Sequence, residues 1–334
     1  MDAEITSTVS GRVRVAVVGV GDFGRNHVRV YGELGEAELV GVADADAARA
    51  RAVAQEFSIH AFDSIEALAG KADAVSLAVP TIEHARLGCR LLEMGLDVMV
   101  EKPIAASLGE ADALVETAKR CGRILQVGHL ERFNPGLVAV LPMVKRPLYF
   151  EVHRLGIFTP RSLDVDVVYD VMIHDLDILL ALTGEPVVEI AAVGVPVLTE
   201  KVDIAQARLG FPSGAVANIT ASRVSTERVR KMRFFQHHEY ISVDFNRQDA
   251  LRIRVKELGP EPKFDFEKPA ADPEEPLRAE LKSFLNAVRT RTAPRVDGAA
   301  GRRALELADR VMAGIREHAA RVQWDSPALP RETV

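Results

Sequence analysis

Residues 13–24 read VRVAVVGVGDFG. The first six are almost wholly aliphatic and show no polar/apolar alternation, which marks a short strand covered on both faces and hence a parallel sheet flanked by helices. Gly19, Gly21 and Gly24 follow at Gly-x-Gly-x-x-Gly spacing, with Asp22 and Phe23 between them. In such a turn the first glycine permits the tight bend, the second lets the backbone approach a pyrophosphate, and the third lets the next helix pack close to the strand. Unpaired N–H groups at the helix start face the phosphates. The spacing alone is weak, but here it follows a strand and opens a helix, the context that gives it meaning.

Asp44 closes a second apolar run, Leu39 to Ala43. An acidic residue there receives the adenosine ribose hydroxyls, and its charge repels the extra phosphate of NADP, so the expected cofactor is NAD. Asp46 competes with Asp44 for this contact and for the N-cap of a helix starting at Ala47.

Short apolar runs alternate with amphipathic stretches as far as Val127, predicting strands at Val13 to Val18, Leu39 to Ala43, Ala74 to Val79, Asp97 to Val100 and Ile124 to Val127. Helices are expected between them, near Asn26 to Leu34, Ala47 to Phe57, Ile82 to Met94 and Leu108 to Arg120. After Pro135 the pattern becomes that of an antiparallel sheet: Tyr149 to Arg154, Val187 to Val197, Ile204 to Phe211, Ala215 to Ser222, Met232 to Asp244 and Leu251 to Lys256 read as strands, with one helix near His174 to Leu182. Glu257 to Pro276 reads as an exposed loop, before two helices at about Pro276 to Arg289 and Ala299 to Ala320. The predicted architecture is an α/β Rossmann domain over residues 1–130, then an α+β domain over 131–334 with a large, mostly antiparallel open sheet for substrate binding and oligomerisation. The C-terminal helices are expected to be able to pack back on the first domain.

A chain of 334 residues exceeds the usual size of one hydrophobic core, consistent with two domains. Its 48% hydrophobic and 27% charged residues are ordinary for a soluble protein, and no apolar run approaches the roughly 18 residues that would span a bilayer. The N-terminus carries acids, and its apolar run feeds a glycine turn and not a cleavage site, so no signal peptide is read there. Cys89 and Cys121 stand far apart and without metal-type spacing, so neither a disulfide framework nor a metal site is expected and a reduced cytoplasm fits. A net charge of -6 argues against a nucleic-acid partner.

Val100-Glu101-Lys102-Pro103 resembles the Glu-Lys-Pro motif of the glucose-fructose oxidoreductase and inositol 2-dehydrogenase (Gfo/Idh/MocA) family. So do Ala78-Val79-Pro80-Thr81-Ile82-Glu83-His84, Arg132-Phe133-Asn134-Pro135 and Asp170-x-x-x-His174-x-x-Asp177, in the right order over nearly the whole chain. The resemblance implies an NAD-dependent sugar dehydrogenase in which Lys102 contacts both nicotinamide ribose and substrate hydroxyl, His174 is the general acid/base, and Lys102-Pro103 is a cis peptide. Pro80, His84 and Glu101 then border the cofactor, and Arg132, Asp170 and Asp177 the substrate.

The chemistry agrees, because oxidising an alcohol requires a base for the proton and a cation for the developing alkoxide, and His174 and Lys102 are of those types. Which of the two accepts the proton stays open. If the segment is helical, Asp170 and His174 share a face and can hydrogen-bond. Asp177 reads equally as a substrate contact or an exposed helix charge.

Many relatives carry a Gly-rich stretch before this motif, whereas this chain reads Leu163-Asp164-Val165-Asp166-Val167-Val168-Tyr169, which argues against a simple inositol or glucose substrate. Gly128-His129-Leu130-Glu131-Arg132 and Met172-Ile173-His174-Asp175 resemble the branch that oxidises C3 of UDP-N-acetylglucosamine. That branch passes its ketone to an aminotransferase in amino-sugar synthesis for lipid A. A diphosphate would want cations, and Arg223, Arg228, Arg230, Lys231 and Arg233 offer them; Arg223 is the candidate taken from this run. The alternatives are a dehydrogenase of a free polyol or sugar, and a non-catalytic NAD-binding regulator. A homodimer or homotetramer is expected, since family members pair through their open sheets.

Overall fold

The computed structural model describes residues 11–159 and 165–322. Leu163 and Asp164 of the variant stretch, and the acidic N-terminus, lie outside the described residues. The first sheet is parallel, with strands β1 (Val13–Val18), β2 (Ala37–Ala43), β3 (His60–Phe62), β4 (Ala74–Leu77), β5 (Asp97–Glu101) and β6 (Leu125–Gly128) in the order β3-β2-β1-β4-β5-β6. Helices α1 (Asp22–Glu33), α2 (Ala47–Phe57), α3 (His84–Glu93) and α4 (Leu108–Cys121) form the crossovers. This is a doubly wound fold, whose crevice opens beyond the carboxyl ends of the strands where the order reverses between β1 and β4. Helix α1 starts at Asp22, four residues earlier than its apolar pattern suggested, because the glycine turn itself forms the first helical turn.

After the short helix α5 (Pro135–Val140), the chain builds a second sheet. Its strands are β7 (Tyr149–Leu155), β8 (Glu189–Val195), β9 (Ile204–Gly210), β10 (Val216–Ser222), β11 (Val229–Gln236), β12 (Glu239–Asp244), β13 (Asp249–Glu257) and β14 (Lys263–Glu267). Their order is β14-β13-β12-β11-β7-β10-β9-β8, antiparallel except for the parallel β7/β10 pair. Alternation along the strands sends Phe150, Val152, Ile219, Met232 and Phe234 into one core beneath helices α6 (Ile173–Thr183) and α8 (Gly298–Arg321). Helix α7 (Pro276–Thr290) turns Leu281, Phe284 and Val288 against the β1 residues Val13, Val15 and Val17. Helix α8 places Leu305 in a Rossmann core and Ala304, Leu307 and Val311 in the core of the second sheet. The two sheets are thereby tied together at a shared, buried seam.

Besides the start of α1 and the short helix α5, three places differ from the sequence reading. Strand β3 is only three residues long, too short to show a period. The run Met232 to Asp244 is a hairpin of β11 and β12, and its turn is made by His237 and His238, the latter at φ +60°. Hairpin turns of this kind usually announce themselves with Asn-Gly or Asp-Gly, so two histidines gave no signal. Strand β14 lies inside the segment read as a loop; it pairs with β13 and leaves Phe264 and Phe266 exposed.

Candidate active site

A cleft of about 1340 Å³ runs from the glycine turn across the β1, β4 and β5 ends to the second domain, and its walls include Gly19, Gly21, Asp22, Phe23, Asp44, Pro80, His84, Glu101, Lys102 and Asp170. The glycine turn fits a dinucleotide. Gly19 has φ +85°, and a Cβ on Gly24 would stand 1.8 Å from the Gly19 carbonyl oxygen, whereas Gly21 faces open space. The backbone is therefore bare where a pyrophosphate would approach. Asp44 and Asp46 divide their two jobs. Asp46 caps α2, accepting from the Ala48 and Arg49 backbone N–H groups. Asp44 holds the turn, its carboxylate accepting from Val20 N at 2.7 Å and Asp46 N at 2.8 Å, with Arg49 at 3.4 Å.

The Pro80 and Lys102 loops are linked by His84, whose ring nitrogens face the Pro103 carbonyl oxygen at 2.9 Å and that of Val79 at 3.0 Å. Burial lowers the His84 pKa. The Lys102–Pro103 peptide is cis. Behind it, half-buried Glu101 lies 3.0 Å from His27 Nε2, and a Cβ on Gly128 would stand 3.0 Å from the Glu101 carboxylate, which would have to give way slightly. Burial alone would raise the Glu101 carboxyl, but His27 and Lys102 outweigh it and hold the group below the ordinary value. His27 was missed by the sequence reading, since an isolated histidine carries no distinguishing pattern, and Gly128 entered it only as part of the Gly128-His129-Leu130-Glu131-Arg132 stretch.

Lys102 Nζ donates to the Asp170 main-chain oxygen at 2.6 Å and to its carboxylate at 3.1 Å. This corrects the expected Asp170–His174 hydrogen bond. Val168–Met172 forms a π turn ahead of α6, and there the Asp170 carboxylate and main-chain oxygen both accept from Lys102. His174 Nδ1 is buried with no hydrogen-bond partner, and the His174 ring meets that of His129 edge-on at 6.2 Å. Burial pushes the His174 pKa well below its ordinary value, with Lys102, Arg154, His129 and Arg230 acting in the same direction. The imidazole is thus held neutral, the form that accepts a proton.

Asp177 is buried, not an exposed helix charge: Arg132 Nη1 approaches it at 3.4 Å while its other oxygen has no partner. Arg223 does not project as a cation for a substrate diphosphate. It donates to Asp203 at 2.7 Å and to the Val165 carbonyl oxygen at 2.7 Å, and Asp203 in turn gathers the backbone N–H groups of Val197, Leu198 and Thr199. Arg223 therefore pins a cleft-wall residue to the sheet.

A charged cluster beside His174 went unread. Buried Arg154 bonds Asp175 through two nitrogens at 2.8 Å each and Glu131 at 2.6 Å. A signal existed, since strand alternation places Arg154 on the same face as Phe150 and Val152, where a charge must be paired. Among the described residues, no cluster of His, Cys, Asp and Glu is arranged to hold a metal, and no helix is long and apolar enough to cross a membrane.

Comparison with known proteins places this geometry in a family. The model of the GFO/IDH/MocA oxidoreductase family, NAD-binding Rossmann fold, matches residues 13–129, and that of the GFO/IDH/MocA C-terminal domain matches residues 149–238. The chain is 39% identical to UDP-N-acetylglucosamine 3-dehydrogenase of Acidithiobacillus ferrooxidans, over 91% of this chain and 97% of that protein. The solved structure of that dehydrogenase superposes with a TM-score of 0.86 at 37% identity, covering 92% of this chain and 99% of the other. Identity to scyllo-inositol 2-dehydrogenase (NAD(+)) of Bacillus subtilis is 31%, over 64% of this chain and 68% of that protein. A levoglucosan dehydrogenase solved with NADH and levoglucosan shares the fold at a TM-score of 0.82 and 17% identity, covering 92% of this chain and 98% of the other. A glycine turn shaped for a dinucleotide and a lysine at the β5 end bonded to Asp170 of the second domain, with matches along both domains, make this chain a member of the GFO/IDH/MocA family of NAD-binding oxidoreductases.

Proposed function

We propose that this enzyme oxidises the C3 hydroxyl of UDP-N-acetylglucosamine to a ketone. The observation that carries the reading is the extent of the likeness. It runs over nearly the full length of the UDP-N-acetylglucosamine 3-dehydrogenase, whereas the likeness to the scyllo-inositol enzyme covers about two thirds of either chain. The glycine turn and Asp44 would hold NAD, which supplies the hydride acceptor when bound. Lys102 and His174 orient the reacting hydroxyl from opposite domains. His174, held neutral, takes the hydroxyl proton, and Lys102 stabilises negative charge developing on that oxygen. Asp170 aims the lysine. Remote binding of the nucleotide positions the sugar, so free N-acetylglucosamine is a poor substrate.

The setting proposed is the cytoplasm, with the enzyme a homodimer or homotetramer and an aminotransferase consuming the ketone. Reduced-cofactor absorbance should be followed with UDP-sugars, free hexoses and polyols, in the presence of glutamate and a sugar-nucleotide aminotransferase. UDP-N-acetylglucosamine should give the highest kcat/KM. A higher value for myo-inositol or a free hexose would replace this reading with a polyol or sugar dehydrogenase.

A further inference from the structure

The basic run from Arg223 to Arg233 contains five cations, and the structure sorts them. Arg223 is bound to Asp203, Lys231 lies 3.3 Å from Asp244, and Arg233 lies 3.4 Å from Glu151. Arg228 and Arg230 are left. Arg228 is exposed and has no ion pair among the described residues. Arg230 stands directly opposite Arg154 in the β7/β11 ladder, on the face that carries Met232 and Phe234 inward.

Like charges directly opposite each other in a sheet repel. Arg154 escapes the penalty because it takes both nearby carboxylates for itself. Glu131 is then fully engaged: one oxygen accepts from Arg154 at 2.6 Å and the other from Asn134 at 3.2 Å. Arg230 comes no nearer to Glu131 than 3.8 Å, beyond hydrogen-bond reach, and its side chain stays 47% exposed. Arg228 adds positive charge beside it, and Arg230 itself acts on His174. Two under-compensated guanidiniums therefore stand two residues apart in sequence, and one of them, Arg230, faces Arg154, which is bonded to Asp175, the residue after the proposed proton acceptor.

We propose that Arg230, with Arg228, forms the subsite for the diphosphate of the nucleotide-sugar substrate. The inference rests on the nucleotide-sugar reading and fixes which cations serve it. A guanidinium keeps its charge at any working pH and presents a fork of donors matched to phosphate oxygens. Two of them side by side suit a group with two adjacent phosphates better than a neutral polyol, which would leave the positive surplus unanswered.

The test is calorimetric titration of the full-length, NAD-loaded enzyme with UDP, together with KM for UDP-N-acetylglucosamine. Arg230→Gln should weaken UDP binding by about tenfold to a hundredfold, the range for losing a charge-assisted hydrogen bond. Arg228→Gln should weaken it several-fold and Arg230→Lys less than Arg230→Gln, while Arg233→Gln on the opposite face leaves it unchanged. NADH binding and the unfolding midpoint report whether each variant is folded. If Arg230→Gln does not fold, wild-type UDP affinity in Arg228→Gln overturns the proposal. A wild-type enzyme that turns over UDP-N-acetylglucosamine, with folded Arg230 and Arg228 variants that keep wild-type UDP affinity, overturns this subsite alone. A wild-type enzyme that neither binds UDP nor oxidises any UDP-sugar removes the nucleotide-sugar reading beneath it.

Discussion

Lys102 Nζ is bonded twice to Asp170, at 2.6 Å to its main-chain oxygen and at 3.1 Å to its carboxylate, so one lysine joins the end of β5 to the π turn that precedes α6. The cation of the proposed reaction is thereby positioned by both domains. Lys102→Ala should lower kcat by on the order of 10²-fold to 10³-fold, the usual range for removing one charge-stabilising donor. Asp170→Asn should cost about tenfold or less, because the main-chain acceptor remains. Steady-state turnover of both variants checks this, and equal losses would give the Asp170 carboxylate a role beyond aiming Lys102.

His174→Ala should reduce turnover by on the order of 10²-fold with NAD affinity nearly intact. The pH dependence has a defined sign. Because burial and neighbouring cations lower the His174 pKa, its neutral form persists below pH 6.5, and the acid limb of kcat/KM should fall below that value. A limb at or above pH 6.5 that disappears in His174→Ala would contradict the neutral-histidine assignment.

Three histidines, buried His84 and His129 and half-buried His174, share this depression, with desolvation its largest cause in each. The unfolded chain binds protons at these positions near pH 6.5 and the folded chain does not, so stability should fall as pH drops through that region. Thermal unfolding between pH 8 and 5.5 measures it. His129→Gln should flatten the slope, and an unchanged slope would assign the acid sensitivity elsewhere.

Asp44 should enforce the choice of NAD. Its carboxylate is tied to the backbone of the glycine turn and cannot swing away from a 2′-phosphate without breaking the bond to Val20 N. Asp44→Ser should narrow the preference for NAD over NADP by about tenfold or more, since a like-charge contact is removed while Arg49 stays nearby. Comparable wild-type kcat/KM with both cofactors would refute this.

Glu280 on α7 is buried, and neither carboxyl oxygen has a hydrogen-bond partner. Burial first, then the charges of Glu101 and Asp177, raise its pKa well above 4.5. A raised carboxyl destabilises the fold progressively as pH climbs above the unfolded value, until the folded group also ionises. The neutral isostere Glu280→Gln should therefore match or exceed wild-type stability at pH 8 and gain relative to it as pH rises from 5. Calorimetry across that range tests it, and a Gln variant that loses stability throughout would mean that Glu280 is charged and paired.

Much of the Rossmann half was legible because its signals are local. A buried parallel strand needs an unbroken apolar run, and a turn where a Cβ would strike a carbonyl oxygen needs glycine, so β1 and Gly19, Gly21 and Gly24 are written into a dozen consecutive residues. In the second sheet, β7, β9 and β10 carried a clear alternation of inward apolar and outward polar residues. The β11/β12 turn has no turn residues, and β14 sits between prolines and acids that suggested a loop.

The sequence by itself determined which chemical groups are present and which face of each strand they occupy, because periodicity is a property of the chain alone. Partnership was decided by tertiary structure. Asp170 is four residues from His174 but bonds Lys102, sixty-eight positions away, because the packing of the two domains brings the end of β5 to the turn before α6. Arg223 and Arg230 look alike in sequence, yet one is consumed by Asp203 and the other is left under-compensated because Arg154 captures the carboxylates first. Electrostatic energy depends on distance through space and on burial, and neither quantity exists until the two sheets have packed against each other.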